Sequence, residues 1–243
     1  MFLTPGSLRF ASWAALFVAV AYLAAAFAMP EAQRQSPPFT PADPQKQLED
    51  VARLFALAIT VGLLQLAQAL AGVVACVALA AHGARPTHAF FGGGFAVLAF
   101  LALAARGVWS AAVETSAGVQ FIAARGQPLA DSMVTFLHHN LLFQHFFNWF
   151  YVLFAGGGLL LLAWSLSPRD RRLAAALGVA GITYLVYFPV VMFVYHSTRV
   201  HGRPFPAVML LAEVAVWLFP GLAFLLAFLW LRLLALAAVR AGL

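Results

Sequence analysis

An all-α, polytopic membrane protein is the fold class this sequence predicts: a bundle of six transmembrane helices with helices 2–4 extended on one side. Three observations carry that reading. Of the 243 residues, 64% are hydrophobic and only 9% charged, against about 25% charged in soluble domains; a water-soluble fold could not hide that much apolar surface. The apolar residues gather in six segments, each with room for the roughly 20 residues that a bilayer core demands. Three of the segments are also longer than a bilayer needs, since roughly thirty residues or more at 1.5 Å rise reach about 50 Å against a hydrocarbon core of about 30 Å.

Taken in order, the predicted helices run over 10–29, 44–81, 88–123, 132–166, 172–197 and 206–238, in a single domain spanning 1–243. The first ends on "LAAAFAMPEA", whose small residues before a polar stretch resemble a signal-peptide boundary; the segment is read as a retained helix. The connector "PEAQRQSPPFTPADP" is too rich in proline for regular helix, and Asp43-Pro44 reads as an N-cap followed by proline at the first helical position. The second helix is therefore expected to begin near Pro44, well before its apolar part. Helices 2 to 4 would all overhang on the side of the 30–43 connector.

The formal charge is +6. Its arginines are scattered rather than gathered on one element, which argues against nucleic acid as a partner and for basic loops beside anionic lipid. The termini and the two short connectors carry Arg9, Arg85, Arg169, Arg171, Arg172, Arg232 and Arg240; the other side carries Arg34, Lys46, Arg53, Arg125, Arg199 and Arg203. With "SPRDRR" as the densest basic turn, the positive-inside rule places both termini in the cytoplasm of a protein integral to the cell (inner) membrane. The expected partners are the lipid bilayer and other membrane subunits. The lone Cys76 excludes an intramolecular disulfide and reads as a small buried hydrophobe.

Antiparallel helices joined by a short turn supply a depth ruler, because residues equidistant from the turn lie at about the same height. On that ruler Gly92, Gly93 and Gly94 come level with Gly156, Gly157 and Gly158, which predicts a close contact between helices 3 and 4. The ruler also brings out two polar tiers. Gln65, Arg106, His145 and Glu213 form a buried cluster, in which Arg106 and Glu213 are expected to neutralise one another, since a lone charge deep in lipid is costly. Nearer the outside, Glu114, His138, His139, His196 and Arg199 would line an outward-facing vestibule. Along "TFLHHNLLFQHFFNWF", His138 and His145 share a stripe with Leu142 and Trp149, while Gln144 and Asn148 share another; past Tyr151 the helix is apolar with glycines. A bland reading stands beside this one: histidine and tryptophan are common where helices cross the membrane interface, and Arg106 with Glu213 could be a purely structural pair.

Chemistry narrows the choices. Glu114, His138, His139 and His196 carry the right atoms for a metal such as zinc or copper, and His145 with His196 are the nearest to a pair of axial haem ligands, offset by about one turn. "FLHHNLLFQHFFNWFYVLFAGG" resembles the second helix of rhomboid proteases. The spacing from His145 to Asn148 is one residue short of that pattern, however, and Gly178-Val179-Ala180-Gly181 has no serine where the nucleophile would stand, so a protease is excluded. The layout resembles that of small bacterial six-helix membrane proteins, without a motif that transfers an activity. Three function classes follow: a non-enzymatic membrane subunit or regulator working through its outer vestibule, a small-solute or ion transporter using Arg106 and Glu213, and a haem- or metal-binding protein using the outer histidines. Pro189 and Pro220 could break helices 5 and 6 as transporters often require, or simply kink them.

Overall fold

The structure is a computed structural model that describes residues 4–35, 48–49, 52–201 and 206–242; within its helices, the side chains at 29–35, 110, 114, 137–145, 195–196, 198–201 and 206 lie outside the description. Helices α1 (Pro5–Gln35), α2 (Phe55–Ala81) and α3 (Pro86–Trp109) come first. A single π-helical turn, Ser110–Glu114, joins α3 to α4 (Thr115–Ala123), and α5 (Pro128–Leu166), α6 (Arg171–His201) and α7 (Pro206–Arg240) complete the chain. Among the described residues six stretches are long and apolar enough to cross a membrane: Pro5–Ala28, Phe55–Ala81, Pro86–Ala123, Phe146–Leu166, Arg171–Val194 and Ala207–Arg240. The chain is an integral membrane protein, and an even number of spans leaves both termini at one end of the bundle. That end is the terminal end below; the other, which holds the 124–127 turn, is the distal end.

The helices close into a ring. α1 packs on α2, α2 on α3, α3 on α5, α5 on α6, α6 on α7, and α7 returns to α1. Small residues set the spacing. A Cβ on Gly158 would stand 2.6 Å from the backbone nitrogen of Ala96 and 3.0 Å from the carbonyl of Gly92, so α3 and α5 touch backbone to backbone there. Their neighbours face other ways: Gly93 meets Ala80 of α2, Gly156 meets Gly181 and Leu185 of α6, Gly157 is in ordinary contact with Phe95, and Gly94 faces open space. Gly62 approaches Gly107 and Ala111 at the junction of α3 with the π turn.

Several boundaries differ from the sequence reading, each for a local reason. α1 starts early because Thr4 caps it: Ser7 N–H donates to Thr4 Oγ1 at 3.2 Å and Pro5 takes the first helical position. It also continues through Pro30 to Gln35. Proline removes one hydrogen bond, but residues 31–35, "EAQRQ", are strong helix formers. The Asp43-Pro44 cap lies outside the described residues. Residues 48–49 and 52–53 are helical, yet the chain turns at Leu54 before α2 begins, so the second helix is not one straight rod. Ahead of that turn Leu48 packs with Ala117, Phe121 and Ala130, and Arg125 pairs with Glu49 at 2.6 Å. These contacts gather α4 and the start of α5 into the distal overhang. α6 and α7 run on through Pro189 and Pro220 without interruption.

Candidate functional site

A chain of tyrosine hydroxyls crosses the middle of the bundle. Tyr22 of α1, Tyr151 of α5 and Tyr184 of α6 are each at most 8% exposed. The Tyr22 and Tyr151 hydroxyls share a hydrogen bond, and the Tyr151 and Tyr184 hydroxyls lie 2.9 Å apart. A phenol can both donate and accept, so three of them satisfy one another where water cannot reach and an unpaired hydroxyl would be costly. Phe100 of α3 packs edge-on to Tyr151 at 6.3 Å between ring centroids, and Phe224 of α7 stacks beside Tyr22 at 6.1 Å. Between these rings and Leu159 remains a cavity of about 10 Å³, close to the smallest space that holds one water.

One helical turn toward the distal end, Tyr187 follows Tyr184 on the same face of α6. Its hydroxyl donates to Oε1 of Glu213 on α7. Four residues along α7, Trp217 packs on Tyr22 with ring centroids 5.6 Å apart, so Glu213 and Trp217 hang from one stripe and tie α7 to α6 and α1. Arg106 of α3 lies near enough to this group for its charge to be felt at Tyr151 and Tyr187. A long side chain near the C-terminal end of a helix leans back toward the helix N-terminus, and for Arg106 that direction is inward. Gln65 of α2 packs against Gly107, with its Cβ 3.0 Å and its Oε1 3.4 Å from where a Cβ on that glycine would be. Two buried donors, Trp217 Nε1 and Gln68 Nε2, have no hydrogen-bond acceptor among the described residues.

Of the residues singled out from the sequence, Arg106, Glu213 and Gln65 thus lie on helices that converge on the region distal to the tyrosines. The carboxylate partner found for Glu213 is Tyr187, which the sequence reading passed over. The side chains of His145, Glu114, His138, His139, His196 and Arg199 lie outside the described residues; their backbones belong to α5, the π turn and α6. Among the described residues no three His, Cys, Asp or Glu side chains gather to hold a metal. Nothing in the sequence sets Tyr22, Tyr151, Tyr184, Tyr187 and Trp217 apart as site residues, because tyrosine and tryptophan are ordinary members of membrane helices. The one available signal was the i, i+3 pair Tyr184 and Tyr187 on a helix face otherwise apolar.

The terminal half of the bundle contrasts with all this. Its buried polar side chains, among the described residues, are Ser12 and Ser165. Both turn back on their own helices, Ser12 Oγ donating to the Arg9 carbonyl at 2.7 Å and Ser165 Oγ to that of Leu162 at 3.0 Å. Around them pack Ala15, Leu79, Leu162, Leu177, Ala227 and Leu231, each fully buried. From the distal end toward the terminal end, the described residues thus run from the Tyr187–Glu213 bond through the tyrosine and phenylalanine rings to apolar packing. The chain matches no family model, no curated protein and no solved structure.

Proposed function

We propose that this membrane protein is a non-enzymatic subunit or regulator that works through a polar vestibule opening at its distal end. Glu213, Tyr187 and Arg106 are the recognition groups at the base of the vestibule, and the tyrosine triad closes it. The observation that carries this reading is the one-sidedness of the interior polarity among the described residues: the part-buried Tyr187–Glu213 bond stands directly distal to the triad, and the fully buried polar side chains beyond the triad are Ser12 and Ser165, each bonded back to its own helix. An ionisable residue inside a membrane bundle marks a functional site by default. Unused donors such as Trp217 Nε1 and Gln68 Nε2 favour an occupant that accepts hydrogen bonds. Passage across the membrane would need polar groups in both halves, and continuous helices through Pro189 and Pro220 offer no unwound backbone for an ion.

The test pairs native electrophoresis with flux. Gently extracted from its own membranes, the protein is expected to migrate as part of a larger assembly. The double variant Tyr187→Phe/Glu213→Gln is expected to release it as a folded, free species. Purified and placed in liposomes, it is expected to carry no proton or ion flux above that of empty vesicles. A flux abolished by Glu213→Gln, from a protein that extracts alone, would replace this reading with the transporter. An absorption spectrum with a Soret band, or stoichiometric metal in the purified protein, would replace it with a cofactor site on the distal histidines.

A further inference from the structure

The terminal end carries a second polar feature, unrelated to the vestibule. The α2–α3 turn and the α5–α6 turn meet there, joined by Ala84 N–H donating to the Ser165 carbonyl at 2.9 Å. Between them opens a cleft of about 510 Å³ lined by Arg85, Ser167, Pro168, Arg171, Ala174 and Ala175. Arg85 is half-buried and held in place twice: Nη1 donates to the Trp164 carbonyl at 3.1 Å, and the guanidinium lies 4.8 Å from the centroid of the Trp164 ring. A guanidinium has five N–H donors, so most of those on Arg85 are left for something else. The nearby acid, Asp170, turns one oxygen to the backbone: its Oδ1 accepts from the N–H groups of Arg172 and Leu173, each at 2.9 Å. Arg171 also lines the cleft, and Arg169 and Arg172 are exposed on the same turn.

The charge, the shape and the depth select one class of occupant. Two arginines lining one cleft suit an anion with several oxygens, because arginine recognises phosphate through paired N–H donors. The depth is that of lipid headgroups. Trp164 is 59% exposed on the outer face of α5, two residues before that helix ends, where tryptophan marks the membrane interface. Arg85 flanks it with its guanidinium over the Trp164 ring, and an arginine beside an interfacial tryptophan holds its charge at headgroup level. A soluble phosphate would need only the cations; the exposed Trp164 and Ala175 beside them are surface for acyl chains.

We propose that this cleft binds the phosphodiester headgroup of an anionic phospholipid, with Arg85 and Arg171 as its cations and Trp164 against the upper acyl chain. The test is retention of lipid by the full-length detergent-purified protein, read by native mass spectrometry after mixing with phosphatidylglycerol, phosphatidylcholine or inorganic phosphate. Phosphatidylglycerol should be retained at least about tenfold more than phosphatidylcholine. Arg85→Ala/Arg171→Ala should abolish that preference, whereas Arg9→Ala/Arg240→Ala, which removes the same charge from the same end, should preserve it. Both variants are compared at matched thermal stability, and the single variant Arg171→Ala, on an exposed side chain, stands in should the Arg85 change unfold the protein. Equal retention of the two lipids, an unchanged preference in the Arg85→Ala/Arg171→Ala protein, or capture of inorganic phosphate without phosphatidylglycerol would each overturn the proposal.

Discussion

Two kinds of buried polar residue build the central network, and only one of them announces itself. Arg106 and Glu213 stand out in the sequence because a charge in an apolar helix is costly enough to demand a reason. A phenol costs far less to bury, so nothing in the sequence separates Tyr151 from the chain's other tyrosines; only the geometry shows that it is the middle of three hydroxyls. That position has a measurable consequence. Tyr151→Phe takes a partner from two buried hydroxyls at once and is expected to destabilise by about 1–3 kcal/mol, whereas Tyr184→Phe, at the end of the chain, should cost nearer about 0.5–1.5 kcal/mol. Replacing all three by phenylalanine should cost less than the sum of the single changes, since no hydroxyl is left stranded. Thermal unfolding of the variants in one detergent measures the order. Glu213 allows a similar comparison. Glu213→Ala leaves the Tyr187 hydroxyl without its acceptor and is expected to lose about 1–3 kcal/mol, while Glu213→Gln keeps an acceptor oxygen and should stay within about 1 kcal/mol of the parent. Equal losses from the two would show that the Tyr187 bond contributes nothing.

At the level of helices, the apolar runs were readable because a membrane span is above all a composition over a length. The ends were less readable. Thr4 capping α1 depends on a single side chain, the helix beyond Pro30 on the helix propensities of residues 31–35, and the turn at Leu54 on how Leu48 packs against Ala117, Phe121 and Ala130. The π turn at Ser110–Glu114 contains no proline or glycine to mark it; it sits where Gly62 of α2 presses on Gly107 and Ala111. Glycine runs are visible in any sequence, but which glycine faces which helix is set by rotation about the helix axis, which spacing from a turn does not determine. The contrast within one run is testable. Gly158→Ala drives a methyl group to 2.6 Å from a backbone nitrogen of α3, a contact no rotamer change can relieve, and should destabilise by about 1–3 kcal/mol. Gly94→Ala meets nothing within 4 Å and should stabilise by about 0.5–1 kcal/mol through the lower chain entropy of alanine. Melting temperatures moving the same way in both would mean that α3 and α5 are not in backbone contact at Gly158.

Across the whole molecule, the neighbours joined by short turns follow from connectivity, but the closing of α1 on α7 does not, because no turn links them. It rests on shape: Gly221 lets α7 approach Tyr22 and Leu23, and Trp13 lies 5.8 Å from Phe228, ring to ring. That closure turns a row of hairpins into a ring with an interior, and among the described residues the polar groups that bond from helix to helix inside it lie at the tyrosine triad and distal to it. Side-specific thiol labelling measures this asymmetry most directly. With Cys76→Ser as background, single cysteines replace Glu213, Trp217, Phe224 and Leu231 in turn, and a membrane-impermeant maleimide is applied from each side of sealed vesicles. Labelling at positions 213 and 217 from the distal side alone, and at 224 and 231 from neither side, is the expected result. Labelling at 224 or 231 from the terminal side, or at 213 from both sides, would mean that water crosses the tyrosine floor and would contradict the account.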